Sequence, residues 1–164
     1  MRFRSIFIRK PMDFEKIFNK DLYQVFLYTC PASLPLSFAT HSWFVLNRKG
    51  KPSRFEVLWK SHTSSVSWGH LHKDFYPPMQ GLPKFFFSES IVWKNVKLSG
   101  YIEGDTGSLA EVMVNFIEQS PYTYPYCHTY SLTGPNSNTY VSWILKYFPE
   151  SKLGLKWNSF GKKF

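Results

Sequence analysis

The sequence predicts an α+β fold, with an antiparallel sheet formed first and two helices in the C-terminal half of the chain. Segments rich in β-branched and aromatic residues dominate the N-terminal half, whereas two later segments repeat apolar residues at helical spacing. The 164 residues, 43% hydrophobic and 20% aromatic, are enough for one core but not for two ordinary domains. We therefore predict a single domain over 1–164, with its core at about 20–150 and basic segments at both ends.

The strand predictions rest on short apolar segments that are bounded by turn residues. Strands are predicted over 22–29, 41–47 and 54–60, and the Gly- and Pro-containing RKGKPS predicts a hairpin between the last two. Residues 61–83 are polar and then rich in Pro, so we predict mostly loop there. Two further strands are predicted within PKFFFSES and IVWKNVKLSGYI, and a short helix over 13–19.

Two amphipathic helices follow the strands. The first begins at Ser108, where Glu111 three residues later completes a capping box, and Pro121 is predicted to end it. Its predicted core stripe is Leu109, Val112, Met113, Phe116 and Ile117. The second helix begins near Asn136 and ends at Pro149. Its predicted stripe is Val141, Ile144, Leu145 and Phe148.

The net charge of +9 comes mainly from the two ends of the chain. Residues 1–10 and 151–164 each carry four basic and no acidic side chains, which leaves +1 over 11–150. Solvated ends explain this pattern, and a weak membrane-surface or polyanion contact through them is the alternative. Because the charge forms no basic stripe on a folded element, no specific nucleic-acid motif is predicted.

Cysteine content and hydropathy leave the compartment open. Cys30 and Cys127 match no metal spacing, so they are interpreted as two buried free thiols or as one bridge in an exporting compartment. No apolar run reaches the length of a membrane span, and MRFRSIFIRK lacks the apolar region and cleavage site of a signal peptide. A cytoplasmic location is the default prediction, and no cofactor is predicted.

The segment GPNSNTYV, residues 134–141, contains more small polar side chains than one helix cap requires. Asn136 is the predicted N-cap, which places Ser137 in the first turn of the helix. Polar residues in an exposed first turn need no functional reason. Alternatively, Ser137 lies among unsatisfied N–H groups at the positive helix end, where a nucleophile or an oxyanion is stabilised. In that case Asn136 and Asn138 are candidate oxyanion or ligand-binding residues.

His41 and Glu56 are the candidate base and its orienting acid. If 41–60 is a hairpin, Glu56 returns close to the His41 end of the partner strand. A carboxylate beside an imidazole fixes its tautomer and raises its basicity. The alternatives are a structural histidine and a strand-edge acid that faces water. His70 and His72 lack partners at zinc spacing apart from Asp74, so no metal site is predicted.

Four segments carry a resemblance to a known family. His41-Ser-Trp-Phe, Arg54-Phe-Glu-Val, Pro121-Tyr-Thr-Tyr-Pro-Tyr and Gly134-Pro-Asn-Ser-Asn-Thr-Tyr-Val resemble the bacterial domain-of-unknown-function family DUF3750. Its members typically show H-x-W-I, Y-E-V, YPYA and W-P-G-P-N-S-N-T-F-V. The match covers about residues 22–164, and the last motif is highly specific. The family has no established activity, so this resemblance implies membership only.

A more distant resemblance implies chemistry. A histidine on one strand, an acid on the next and a nucleophile opening a helix look similar to the circularly permuted papain-like group. That group includes NlpC/P60-related hydrolases and lecithin:retinol acyltransferase-like enzymes. The resemblance places Ser137 at the nucleophilic cysteine position, His41 at the general base and Glu56 at the polar orienting residue. Because a serine is far less acidic than a cysteine, the imidazole would have to deprotonate Ser137 during attack.

The sequence therefore predicts three alternative functions. The first is a hydrolase or acyltransferase acting on amide, ester or thioester bonds with a serine nucleophile. The second is a non-catalytic module on the same scaffold that binds a small-molecule, peptide or lipid ligand. The third is a structural protein that contacts a polyanion or a membrane surface through its basic ends. The first requires His41, Glu56 and Ser137 to converge in three dimensions.

Overall fold

The structure is a computed structural model that describes residues 4–6 and 14–164. Its strands are β1 (Arg4–Ile6), β2 (Tyr23–Pro31), β3 (Thr40–Arg48), β4 (Lys51–Ser64), β5 (Ser67–Lys73), β6 (Pro83–Phe85), β7 (Ser88–Val92) and β8 (Lys97–Gly104). Its helices are α1 (Phe14–Ile17), α2 (Leu109–Thr123) and α3 (Ser137–Tyr147), followed by a 3-10 turn at Pro149–Ser151. Most of the basic N-terminal segment lies outside the described residues.

The main sheet is antiparallel, with its strands in the order β1-β8-β2-β3-β4-β5, while β6 and β7 pair separately. The predicted α+β class, with an antiparallel sheet and two helices in the C-terminal half, is confirmed. The helix predicted over 13–19 and the hairpin between β3 and β4 are also present. A permuted papain-like arrangement stays a prediction.

The prediction of loop is confirmed for 74–82 but wrong for most of 61–73, because β4 continues to Ser64 and β5 returns along it from Ser67 to Lys73. The strand β5 lies at the edge of the sheet, and the end of β4 beside it exposes most of its side chains. The end of β4 is therefore polar and resembles a loop in sequence. Backbone pairing with β4, such as Val57 with Leu71, forms the strand regardless of that composition.

The first long helix differs from its prediction in its end and its buried face. Pro121 lies inside α2, which continues to Thr123, because a proline in the last turn removes only one backbone donor. Val112 is 51% exposed, and Ala110 and Val114 are buried instead. Several registers of apolar residues satisfy the helical spacing in such an apolar segment, and packing against the sheet selects one. The second helix ends before Pro149, as predicted.

Both faces of the central strands are covered. On one face α2 and α3 pack against side chains such as Phe44, Phe55 and Val57. On the other face α1 and the segment 74–98 cover Trp43 and Leu58. Because side chains alternate along a strand, His41, Arg54 and Glu56 belong to this second face. Polar side chains in the central part of these strands, such as Arg54 and Glu56, are therefore buried and need partners inside the protein.

Candidate active site

The N-cap of α3 uses all of the polar atoms of the Asn136 side chain. Its Oδ1 accepts hydrogen bonds from the N–H groups of Asn138 (3.0 Å) and Thr139 (3.3 Å). Its Nδ2 donates to the carbonyls of Ser131 and Leu132 at 3.3 and 3.0 Å. The Thr139 hydroxyl accepts from the N–H of Asn136 and completes a capping box. Asn136 is thus the N-cap that the sequence predicts.

The Asn138 side chain forms hydrogen bonds that connect α3 to β3 and to the C-terminal segment. Its Oδ1 accepts from the Ser42 hydroxyl at 2.8 Å, and its Nδ2 donates to the carbonyls of Thr40 (2.8 Å) and Phe160 (2.9 Å). Both amide hydrogens are therefore in use. An oxyanion-binding role for Asn138 or Asn136 stays a prediction, and it would require one of these hydrogen bonds to break.

The C-terminal segment, residues 158–164, packs against the beginning of α3. Thr139 and Ser142 donate to the carbonyls of Gly161 (2.8 Å) and Lys162 (2.7 Å). Gly161 has a φ of +88°, and a Cβ there would lie 2.5 Å from the Asn136 side chain. The backbone of this basic end is thus held by the protein, while side chains such as Lys163 remain exposed.

Ser137 is the polar residue of this motif whose side chain is left without a structural partner. It is the first residue of α3 and is only 5% exposed. Neither its hydroxyl nor its backbone N–H forms a hydrogen bond with the described residues, 4–6 and 14–164. A helix N-terminus with an unoccupied hydroxyl and an unoccupied N–H can supply both a nucleophile and an oxyanion donor.

The candidate base, His41, belongs to a buried hydrogen-bonded network of ionisable side chains. The Nε2–H of His41 donates to Oε2 of Glu56 at 2.8 Å, which leaves Nδ1 as the nitrogen with a free lone pair. The same Oε2 accepts from Nη2 of Arg54 at 2.7 Å, and Nε of Arg54 lies 2.7 Å from Oε1 without hydrogen-bond alignment. Glu56 is fully buried, so it is not a strand-edge acid that faces water.

Burial and neighbouring charges have opposite effects on the pKa values of Glu56 and His41. Burial disfavours the charged form of Glu56, but the adjacent Arg54 and the hydrogen bond from His41 outweigh it, so the pKa of Glu56 lies below its usual value. Burial also lowers the pKa of His41, and the nearby Glu56 only partly compensates. At neutral pH the imidazole is therefore neutral and can accept a proton.

Arg54 is the site residue that sequence reasoning missed. Its guanidinium carbon lies 4.3 Å from the centre of the Trp43 ring, and its Nη1 donates to the carbonyls of Pro77 (2.9 Å) and Gln80 (2.6 Å). Arg54 thereby holds both Glu56 and the segment that covers this face of the sheet. An arginine two residues before a glutamate in an apolar strand was the available signal, because side chains at i and i+2 share a face.

His41 and Ser137 line the same cavity, which has about 740 Å³ of empty space including its opening to solvent. Asn138 bonds to Thr40 and Ser42, the two residues on either side of His41, so the start of α3 lies level with His41. Glu56 lies behind the imidazole and does not line the cavity. The structure thus brings His41 and Glu56 into contact and places Ser137 on the wall of the cavity that His41 also faces.

The other candidate residues have structural roles or remain apart. His72 uses both nitrogens, accepting from the Ser67 hydroxyl at 2.8 Å and donating to the carbonyl of Lys60 at 3.0 Å. Within the described part of the chain, no three metal-binding side chains cluster. Cys30 and Cys127 are free and buried, which agrees with the first of the two interpretations from the sequence. In the same part of the chain, no helix combines the length and the apolar composition needed to cross a membrane.

We expect acidification to destabilise the fold through these buried groups. In the unfolded chain, His41 becomes protonated as the pH falls below its usual pKa of 6.5. In the folded chain, burial lowers the pKa of His41, so the imidazole stays neutral to a lower pH. Stability should therefore fall as the pH drops below 6.5, and fall further when Glu56 becomes protonated. Urea unfolding from pH 7.5 to pH 5 measures the contribution of His41, whereas that of Glu56 begins only below the ordinary glutamate pKa of 4.5.

His41→Asn should weaken the pH dependence between pH 6.5 and 5 without abolishing it, because His72 is also buried with a lowered pKa. His128→Gln, at an exposed position, is the matched control and should retain the full dependence. An unchanged slope in His41→Asn would contradict this assignment.

Comparison with known proteins identifies one match. A family model described as "Protein of unknown function (DUF3750)" matches residues 23–164, so the resemblance to that family is confirmed. Comparisons with curated proteins and with solved structures give no significant match. The matched range runs from the first residue of β2 to the end of the chain and contains the candidate site, including His41, Arg54, Glu56 and Ser137.

Proposed function

This chain belongs to the DUF3750 family, and we propose that it is a hydrolase or acyltransferase that acts on amide, ester or thioester bonds. Ser137 is the nucleophile, His41 the general base and Glu56 the orienting residue. The proposal rests on one observation: a histidine whose Nε2 is held by a buried carboxylate lines the same cavity as a serine whose hydroxyl forms no hydrogen bond with the described residues.

The residues suit the steps of an acyl transfer. As Ser137 Oγ attacks the substrate carbonyl carbon, Nδ1 of His41 takes its proton, and Glu56 stabilises the imidazolium that forms. The backbone N–H of Ser137 at the positive end of α3 stabilises the resulting oxyanion. The imidazolium then protonates the leaving group as the carbonyl re-forms. Water, or the acceptor in a transferase, releases the acyl group from Ser137 with His41 again as base.

A non-catalytic binding module on the same scaffold is the second candidate. It is favoured by the absence of a hydrogen bond between the Ser137 hydroxyl and His41 among the described residues. Strand alternation also assigns His41 to the face of the sheet opposite α3, so the two side chains meet only through the cavity at the strand end. In this candidate the cavity holds a ligand without turnover.

Covalent labelling distinguishes the two candidates. A fluorophosphonate probe should add its mass to the wild-type chain at Ser137 and should not label Ser137→Ala, because attack on phosphorus requires an activated hydroxyl. Intact-mass spectrometry followed by peptide mapping measures the result. The matched control is Ser142→Ala, whose hydroxyl lies on the same helix and donates to Lys162; it should be labelled like the wild type. Equal labelling of Ser137→Ala, or no labelling of the wild type, would contradict the catalytic proposal.

A further inference from the structure

The walls of the cavity are predominantly apolar and come from separate parts of the fold. The loop after β2, the middle of β4, the β6–β7 hairpin and the C-terminal segment all contribute to it. The larger apolar side chains of the lining include Leu36, Leu58, Leu82, Phe85, Phe86 and Phe160. A cavity with this lining gains free energy by taking up an apolar group from water.

The ionisable groups in the lining offer no free charge to a substrate. The Lys60 ammonium is paired with the Glu89 carboxylate. Tyr76 and Tyr130 are phenols that are neutral at physiological pH, and burial raises their pKa further, that of Tyr76 to about 12. His41 is neutral as well. A carboxylate or phosphate placed among the apolar side chains, away from the N–H of Ser137, would therefore lose its hydration without gaining a charged partner.

The small polar side chains of the lining are also engaged within the protein. Ser33 donates to the carbonyl of Pro83 at 2.7 Å, and the Thr40 hydroxyl bonds to the Ser159 hydroxyl at 2.8 Å. Asn136 and Asn138 are held as described above. Few polar atoms are left to recognise the hydrogen-bonding groups of a peptide segment.

We propose that the group bound in this cavity, and transferred to Ser137, is an uncharged apolar acyl chain rather than a peptidyl or anionic acyl group. The inference rests on the proposed function and specifies its substrate class. The chain packs between the leucine and phenylalanine side chains, and its carbonyl lies at the Ser137 and His41 end of the cavity.

Binding tests the apolar specificity separately from catalysis. Ser137→Ala is titrated with N-phenyl-1-naphthylamine, a neutral fluorescent apolar probe, and the probe is then displaced. Methyl hexanoate should displace it, whereas monomethyl adipate, of the same chain length with a terminal carboxylate, should compete at least about tenfold more weakly. Failure of the probe to bind, or equal displacement by the two esters, would overturn the inference whatever the labelling result.

Turnover rates of the wild-type chain test the preference for an apolar acyl group. The kcat/KM for 4-nitrophenyl hexanoate should exceed that for the acetate by at least about tenfold, since each buried methylene contributes roughly fourfold. The matched variants are Phe160→Asp, inside the cavity, and Phe164→Asp, outside it on the same segment. Only the first should lower kcat/KM for the hexanoate, by about tenfold or more. No chain-length preference, or equal effects of the two variants, would overturn the inference.

The two proposals fail separately. If the wild type is not labelled by the fluorophosphonate but methyl hexanoate displaces the probe, the catalytic proposal is wrong and the apolar specificity stands. If Ser137 is labelled but acetate and hexanoate react alike, the catalytic proposal stands and the substrate class is wrong.

Discussion

Replacing Arg54 with Met is expected to lower the free energy of unfolding by about 3–5 kcal/mol at pH 7, because it leaves a buried carboxylate without its cation. Glu56 and Arg54 are both fully buried, and the carbonyls of Pro77 and Gln80 also lose their donor. Urea unfolding of the full chain, followed by tryptophan fluorescence, measures the change.

Two further variants make this expectation specific. Arg48→Met, which breaks the partly exposed pair with Glu118, should cost no more than about 1 kcal/mol. Arg54→Met combined with Glu56→Gln should be more stable than Arg54→Met alone, since the unpaired charge is gone, and it provides a measurement if the single variant does not fold. A loss in Arg54→Met no larger than that in Arg48→Met would contradict the buried pair.

The pH dependence of Arg54→Met adds an independent check. Without the cation, burial raises the pKa of Glu56 above that of the unfolded chain, so protonation stabilises the fold. The difference in stability between this variant and the wild type should therefore shrink as the pH falls toward the ordinary range of a glutamate. A difference that is constant with pH would show that lost packing, not the charge, is the cause.

Glu56→Gln is expected to slow acylation of Ser137 by about a hundredfold to ten-thousandfold. The amide cannot stabilise an imidazolium as a carboxylate does. If its oxygen keeps the hydrogen bonds that Oε2 accepts from His41 and Arg54, its NH₂ group faces Nε of Arg54, where Oε1 of Glu56 lies now. Single-turnover rates with 4-nitrophenyl hexanoate, measured from pH 5 to pH 9, give the size of the effect.

The pH profile separates this positioning role from simple loss of structure. Burial lowers the pKa of His41, and the charge of Glu56 partly counters that effect. In Glu56→Gln the pKa of His41 should therefore fall further. The pH at which the acylation rate rises should then be lower than in the wild type, and the plateau rate at high pH should be smaller. Glu118→Gln, which removes a carboxylate of α2 that does not line the cavity, should change neither the plateau nor the profile. A Glu56→Gln variant with the wild-type rate and profile would exclude Glu56 from the mechanism.

The contact between His41 and Glu56 was predictable because it is local. The turn at Lys49 and Gly50 starts a register in which Arg48 pairs with Lys51 and Phe44 with Phe55. In the same register Glu56 falls opposite Trp43, and His41 lies two residues farther along on the same face. Turn residues and strand alternation are encoded in adjacent positions, so a single hairpin suffices to predict the pair.

Other features depended on partners that are distant in sequence. The polar residues of β5 gave no strand signal, because pairing with β4 forms that edge strand. The face of α2 that packs on the sheet was misassigned, because Val112 and Val114 are equally apolar and only packing distinguishes them. Arg54 was missed because its partners at Pro77 and Gln80 come from the covering segment, not from its own hairpin.

The GPNSNT motif combines features that depend on neighbouring residues with features that depend on residues distant in sequence. Its sequence alone identified Asn136 as a helix cap and Ser137 as the first helical residue, because capping depends on neighbouring backbone groups. The roles of the other polar residues depended on bonds across the chain, such as that between Ser42 and Asn138, which are 96 positions apart. Those groups form hydrogen bonds to β3 and to the C-terminal segment. Among the described residues, the Ser137 hydroxyl has no such partner and lies on the wall of an apolar cavity. Burial and pairing depend on which distant segments meet, and so the cavity and the buried charge of Glu56 became visible only in three dimensions.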